Sequence, residues 1–240
     1  MLAVLAYHRA GEGKHSNTPA ILEAHLAYIK KRFPTLLPGE KKRRGKLNIC
    51  LTFDDASYDF YYYVYPLLKK YQLKALLAVP THYIMERSSL SPDERLSIPY
   101  TLAMQEGIFE TKTPFCTWQE IEEMVTSGHV EVAAHSHLHC NLTFDFVNLH
   151  REVIQPKEII ERRLQCKISS YVYPFGRSSP EVHSYVKQHY TYAFRLGFGY
   201  NKNWGCETKP LKRITCDQLS SPKAPFTPLQ RLVYFAKSFV

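Results

Sequence analysis

Short apolar runs alternate with helix-forming stretches along almost the whole of this 240-residue chain, and that order constrains its fold more than any other feature. Seven runs read as strands: residues 2–7, 47–53, 74–79, 130–134, 168–173, 192–196 and 209–216. The helical stretches between them carry their own punctuation. Thr18 caps one that opens at Pro19 and stops at Pro34. Thr117 and Glu120 make a capping box, and Gly128 closes the helix behind them. Ser179-Pro180 and Thr227-Pro228 open two more, running toward 189 and 239. A helix capped by Ser57 and another over 148–164 contain Pro66 and Pro156, where a kink or break is expected. Residues 81–114 keep no period beyond a short helical stretch near 102–106, and this long excursion is read as the wall of a substrate groove. Strand–helix alternation implies a mostly parallel sheet, open or closed into a barrel, in a single α/β domain over residues 1–240.

Composition excludes several classes. A hydrophobic content of 45% supports a packed core and argues against disorder. The net charge of +9 fits an anionic partner such as a lipid head or an acidic glycan. Its densest cluster, Lys41-Lys42-Arg43-Arg44 with Lys46, falls in a loop and has no nucleic-acid-binding motif beside it, so no nucleic acid is expected. Six cysteines form no Cys-x-x-Cys, and a chain this long builds a core without disulfide staples; reduced thiols are expected, with Cys50 packed in a buried strand. No stretch is long enough to span a membrane, and the apolar start is too short for a secretion signal. The expected location is cytoplasmic, with peripheral attachment to the inner membrane face as a variant.

Three strand ends carry chemistry. Asp54 and Asp55 follow the alternating run 47–53, and both reach one site only if the strand stops there and the chain turns. His135, His137 and His139 follow the run 130–134. Tyr173-Pro174-Phe175-Gly176 closes the run 168–173. An aspartate with two histidines is a ligand set for a zinc-type metal that keeps an open coordination position. From the residues alone, Asp54 and Asp55 also suit a helix N-terminus. His137 and Cys140 compete with His139 as ligands, because His135 and His137 share one face of a strand. Trp118 and Trp204 are candidates for stacking on a sugar ring.

Thr52-Phe53-Asp54-Asp55, His135-Ser136-x-x-His139 and Tyr173-Pro174-Phe175-Gly176, in that order on successive strand ends, resemble the NodB-like polysaccharide deacetylases, carbohydrate esterase family 4. The resemblance runs from Tyr7 to about Ile214. It implies a deformed (β/α) barrel with a divalent metal at the strand C-termini, zinc first and cobalt or nickel next, held by Asp55, His135 and His139. Asp54 is then the general base, and the Phe175 backbone N–H an oxyanion donor. Tyr173 and Phe175 are the implied substrate contacts. The family's C-terminal Leu-x-His is missing, since no histidine follows His189. A circularly permuted subgroup, the biofilm poly-N-acetylglucosamine deacetylases, carries that histidine in an N-terminal Tyr-His, which points to His8 as the acid. Ala56 stands where the family has glycine, and Val172 where many members have an arginine that tunes the base. Lys212-Arg213-Ile214 resembles the subgroup's Pro-Arg-Ile and offers Arg213 for that task. The implied activity is hydrolysis of the N-acetyl group of an amino sugar or glycan with release of acetate; a lipid-linked or otherwise anionic substrate suits the basic charge. The rivals are a deformylase or other metal hydrolase acting on a lipid- or nucleotide-linked amino sugar, and a catalytically inactive carbohydrate-binding module.

Overall fold

The computed structural model of the protein describes residues 1–239. All seven strands form: β1 (Leu2–Tyr7), β2 (Asn48–Phe53), β3 (Ala75–Val79), β4 (Val130–Ala134), β5 (Ser170–Val172), β6 (Tyr192–Leu196) and β7 (Leu211–Thr215). They lie parallel in chain order, and β7 pairs back onto β1, so the sheet is a closed barrel rather than an open one. The joints are uneven. β1 and β2 share six register pairs, from Leu2↔Asn48 to Tyr7↔Phe53, whereas β4 and β5 meet only at Ala134↔Tyr171.

The pleat sorts alternate side chains to the two faces. Leu5, Leu51, Phe53, Leu77 and Val132 point outward into one apolar layer, to which Leu22 and Leu26 of α1 (Pro19–Arg32) also belong. Leu2, Val4, Cys50, Ala78, Ala133 and Val172 fill the inside. These interior residues are small toward the upper end, which leaves room for a polar side chain. The fully buried Arg213 of β7 occupies that space.

Caps follow the sequence reading. Thr18 accepts the Ile21 N–H, Thr117 and Glu120 box the start of the helix Trp118–Thr126, and Ser179 accepts the Val182 N–H. The two proline-bearing helices differ from expectation. Proline has no N–H to return to the preceding turn, and in both cases the helix widens ahead of it instead of kinking. A π turn over Phe60–Val64 precedes α2 (Tyr65–Tyr71), and another over His150–Ile154 precedes the helix Gln155–Leu164. The bonds Tyr65 N–H to Phe60 O and Gln155 N–H to His150 O close these turns, so each proline falls in a first turn, where no N–H is needed. Ser57 is not a cap. The helical turn starts after Asp59, whose carboxylate instead accepts from Arg9 Nε at 2.8 Å and Ala10 N–H at 2.9 Å.

The 81–114 excursion contains Pro92–Leu96, Tyr100–Ala103 and Ile108–Lys112 rather than one helix near 102–106. Arg95 anchors it. Its guanidinium donates to both Glu120 oxygens at 2.6 and 3.0 Å, to Thr113 O at 2.8 Å and to Phe115 O at 2.7 Å, and lies 3.5 Å over the Tyr58 ring. Arg95→Met strands the Glu120 carboxylate and two carbonyls, so we expect a loss of about 3 kcal/mol in denaturant unfolding and faster proteolysis within 81–114. A loss below about 1 kcal/mol removes Arg95 as the anchor.

Candidate active site

The mouth of the barrel lies where the strands end. Leaving β2, the chain takes two successive left-handed residues, Asp55 at φ 68° and Ala56 at φ 51°. A left-handed residue with a Cβ is disfavoured by about 1–2 kcal/mol, so this turn is held from both sides: Asp54 N–H donates to Tyr7 O at 2.9 Å, and Ala56 O accepts Cys116 N–H at 2.7 Å. The turn brings both carboxylates to the same mouth. It also accounts for a glycine at the Ala56 position in the family.

Asp55 is buried. Its Oδ1 lies 3.4 Å from His135 Nε2 and 3.2 Å from His139 Nε2, and accepts no hydrogen bond. Its Oδ2 accepts from the Tyr100 hydroxyl at 3.1 Å. His135 Nδ1 is 2.8 Å from Val172 O and must donate to it, which leaves the Nε2 lone pair facing Asp55. A carboxylate oxygen without a partner and two imidazole nitrogens converging on it is an arrangement that a divalent cation satisfies; the three ligand atoms lie within 4.8 Å of one another.

A carboxylate behind the loop holds the histidines in place. Ser136 and His139 are both left-handed, at φ 67° and 49°. The fully buried Glu152 accepts from Ser136 Oγ at 2.5 Å and from the N–H groups of His137 and Leu138 at 3.0 and 2.9 Å. His137 turns away, its Nδ1 2.9 Å from Thr81 Oγ1, and neither it nor Cys140 joins the cluster.

Asp54 sits beside this cluster and is clamped from inside the barrel. Arg213 Nη1 donates to its Oδ1 at 2.6 Å and Nη2 to its Oδ2 at 2.8 Å. Burial alone would raise the Asp54 carboxyl, but the charge and the hydrogen bonds of Arg213 hold it below the usual carboxylate range. His8 lies across from it, with Nε2 3.7 Å from Asp54 Oδ2. Its Nδ1 donates to Asp217 Oδ2 at 2.7 Å, and its backbone N–H to Asp217 Oδ1 at 3.1 Å. Burial pulls the His8 imidazolium down, yet the Asp217 bond and the charges of Asp54 and Asp55 prevail and push it up to about 9.

Phe175 occupies the left-handed centre of the Pro174–Gly176 turn at φ 56°, its ring 60% exposed and 4.9 Å from that of His139. Tyr173 is a correction. It is the outward residue of that strand end, fully buried, and its hydroxyl pairs with His183 Nδ1 at 3.0 Å, so its side chain is closed to a substrate. Neither tryptophan reaches the mouth: Trp118 is buried on its helix, and Trp204 donates to Glu40 O and packs on Tyr192, where β6 begins. Asp217, Tyr100 and Glu152 were not legible as site residues. Asp217 had a usable signal, an acid just past a strand end. The other two act through tertiary contact alone.

We expect Glu152→Ala to fold but to bind added zinc about 10–100-fold more weakly, as loosened ligand supports generally do. In the same equilibrium dialysis His139→Ala should lose the ion and His137→Ala keep it. An unchanged affinity in Glu152→Ala rules out the positioning role.

The family model for polysaccharide deacetylase matches residues 41–193, which include the Asp pair, both site histidines and the Phe175 turn. No curated protein matches the chain significantly. Among solved structures, BC0361, a polysaccharide deacetylase from Bacillus cereus, superposes with a TM-score of 0.74 at 20% identity, over 92% of this chain and 66% of that one. The Streptococcus pyogenes deacetylase PplD, solved in complex with acetate, gives 0.71 at 20% identity over 92% and 95%. IcaB from Ammonifex degensii gives 0.68 at 22% identity over 90% and 92%. At these identities the likeness establishes the barrel, and the family match establishes the kinship: this chain belongs to the polysaccharide deacetylase family.

Proposed function

We propose that the protein is a metal-dependent hydrolase that removes the N-acetyl group from an N-acetylated amino sugar or glycan. The observation that carries this reading is a pair of groups pushed in opposite directions, Asp54 down and His8 up, facing each other beside the Asp55–His135–His139 cluster. The donor set of Asp55, His135 and His139 fits zinc, with cobalt or nickel next. Bound there, such an ion acidifies a water and polarises the acetyl carbonyl. Asp54, ionised at neutral pH, takes the water's proton while Arg213 holds both of its oxygens. His8, still protonated, delivers a proton from Nε2 to the leaving amine as the C–N bond breaks, and Asp217 keeps the ring oriented. The Phe175 N–H serves as the oxyanion donor, a contribution of about 3 kcal/mol for one such group. Tyr100 and the excursion that carries it form one wall.

Asp54→Asn should retain the metal and lose acetate release from N-acetylglucosamine oligomers; full activity in that variant sinks the mechanism. Formate instead of acetate from the wild type selects the deformylase reading, and sugar binding without turnover selects the binding module. The pH profile has a definite sign. His8 is active as its protonated form, so kcat/KM falls as pH rises through its folded-state value, which the Asp217 bond and the Asp54 charge hold above that of a free histidine. Asp217→Asn removes the largest of the groups that raise that value and should shift the alkaline limb to lower pH; an unmoved limb dismisses His8 as the acid.

The excess positive charge bears on where the enzyme works. Lys30, Lys31, Arg32, Arg43 and Lys46 line one cavity at the end of the barrel where the strands begin. Lys46 continues into a groove with Arg231 and Leu232. There the C-terminal helix Pro228–Ala236 holds Leu229 and Leu232 72% and 65% exposed. A basic rim around an exposed apolar helix face is suited to an anionic lipid surface. Docked this way, the mouth faces away from the bilayer, toward a polymer or soluble sugar rather than a sugar anchored in the same membrane. No helix among the described residues is long and apolar enough to cross a membrane. We expect flotation with phosphatidylglycerol vesicles at low salt that is lost at high salt and in Leu232→Glu. No flotation, or a dimer that depends on Leu232, discards this orientation.

A further inference from the structure

A second group of ligand-type side chains lies at the rim of the mouth. His8, His15 and Asp217 each offer an atom, and the three atoms lie within 4.8 Å of one another. Asp217 Oδ2 is the shared point, 2.7 Å from His8 Nδ1 and 3.9 Å from His15 Nδ1. Ligand atoms around a tetrahedral zinc sit about 3.3–3.5 Å apart. The two distances from Asp217 must change by less than about 1 Å, one lengthening and one shortening, and the two histidine nitrogens must settle at the same spacing, changes within reach of side-chain torsions.

The backbone holds His15 in this position. His15 is left-handed at φ 58°, an uncommon conformation for a residue with a Cβ. It closes the loop between two short paired strands, Arg9–Ala10 and Ser16–Asn17, and its carbonyl accepts Arg9 N–H at 3.2 Å. Gln218 N–H donates to Ser16 O at 3.0 Å and fixes that loop against the residue that follows Asp217. The three side chains grade outward, Asp217 5%, His8 15% and His15 40% exposed, so an ion can enter from solvent. The proposed reaction makes no use of His15.

We propose that His8, His15 and Asp217 form a second, inhibitory site for zinc or a similar borderline transition ion. The inhibition rests on the reading of His8 as the general acid. The ion takes His8 Nδ1, His15 Nδ1 and Asp217 Oδ2 and displaces the proton from His8 Nδ1 to solvent. His8 is then a neutral, metal-bound imidazole whose Nε2–H is no longer acidic enough to protonate an amine. Zinc therefore activates through the buried Asp55 cluster at low concentration and inhibits through this more open site at higher concentration. Magnesium, which takes oxygen ligands, does neither at the rim.

Stoichiometry and activity test this independently. Metal-free protein titrated with zinc by calorimetry should take up two ions per chain, and His15→Ala one. Asp55→Ala should lose the tighter ion and keep the weaker. His15→Ala should retain the uninhibited rate and require about 10-fold or more zinc for the same inhibition. One ion in the wild type, or equal inhibition of wild type and His15→Ala, overturns the site. A second ion that depends on His15 but leaves activity untouched keeps the site, overturns the inhibition and removes His8 from acid catalysis.

Discussion

A guanidinium enclosed in a barrel and bonded to a carboxylate at its mouth is the contact around which the rest is arranged. Arg213 has no exposed surface, and two of its nitrogens reach both oxygens of Asp54, with Thr52 Oγ1 at 3.2 Å as a third acceptor. Two charges in such a place are tolerated only as a closely bonded pair. The pairing imposes small side chains inside the barrel, such as Cys50, Ala78 and Ala133, because larger ones would take the arginine's volume. It fixes Asp54 as an anion and leaves Asp55, one residue on, to turn through the left-handed bend toward the histidines.

His8 and Asp54 are governed from one stretch of chain. Arg213 on β7 holds Asp54 down, and Asp217 just beyond the same strand holds His8 up. β1 and β7 are neighbours across the closure of the barrel, so His8 and its controller arrive side by side from opposite ends of the sequence. Both strands lie outside residues 41–193, the part that the family model matches. The matched part supplies the Asp55–His135–His139 cluster, Asp54 and the Phe175 turn, while His8, Arg213 and Asp217 come from the flanks.

Much of this was legible in the sequence, for identifiable reasons. Each strand is a short apolar run with clear boundaries, and caps such as Thr18 and Thr117 signal through the side chain at one position. Asp54, Asp55, His135 and His139 announce themselves because unpaired polar residues rarely end apolar strands. Tyr173 misled because a strand-end residue can face either side, and at that strand end the parity places it outward. Pro66 and Pro156 could be read as trouble but not as π turns, since the remedy depends on what the preceding turn packs against. Glu152 sits on a predicted helix like any acid, and only the folded loop reveals the three donors that it gathers.

The thin joint between β4 and β5 has a consequence for the whole barrel. A single register pair, Ala134↔Tyr171, connects those strands, and the next bond across the gap is the one from His135 Nδ1 to the Val172 carbonyl. One imidazole thus points its far nitrogen at the ligand cluster and its near nitrogen across the weakest seam of the sheet. Whatever steadies that ring also steadies the seam, so one histidine is at once a member of the Asp55 cluster and a stitch in the wall of the cylinder.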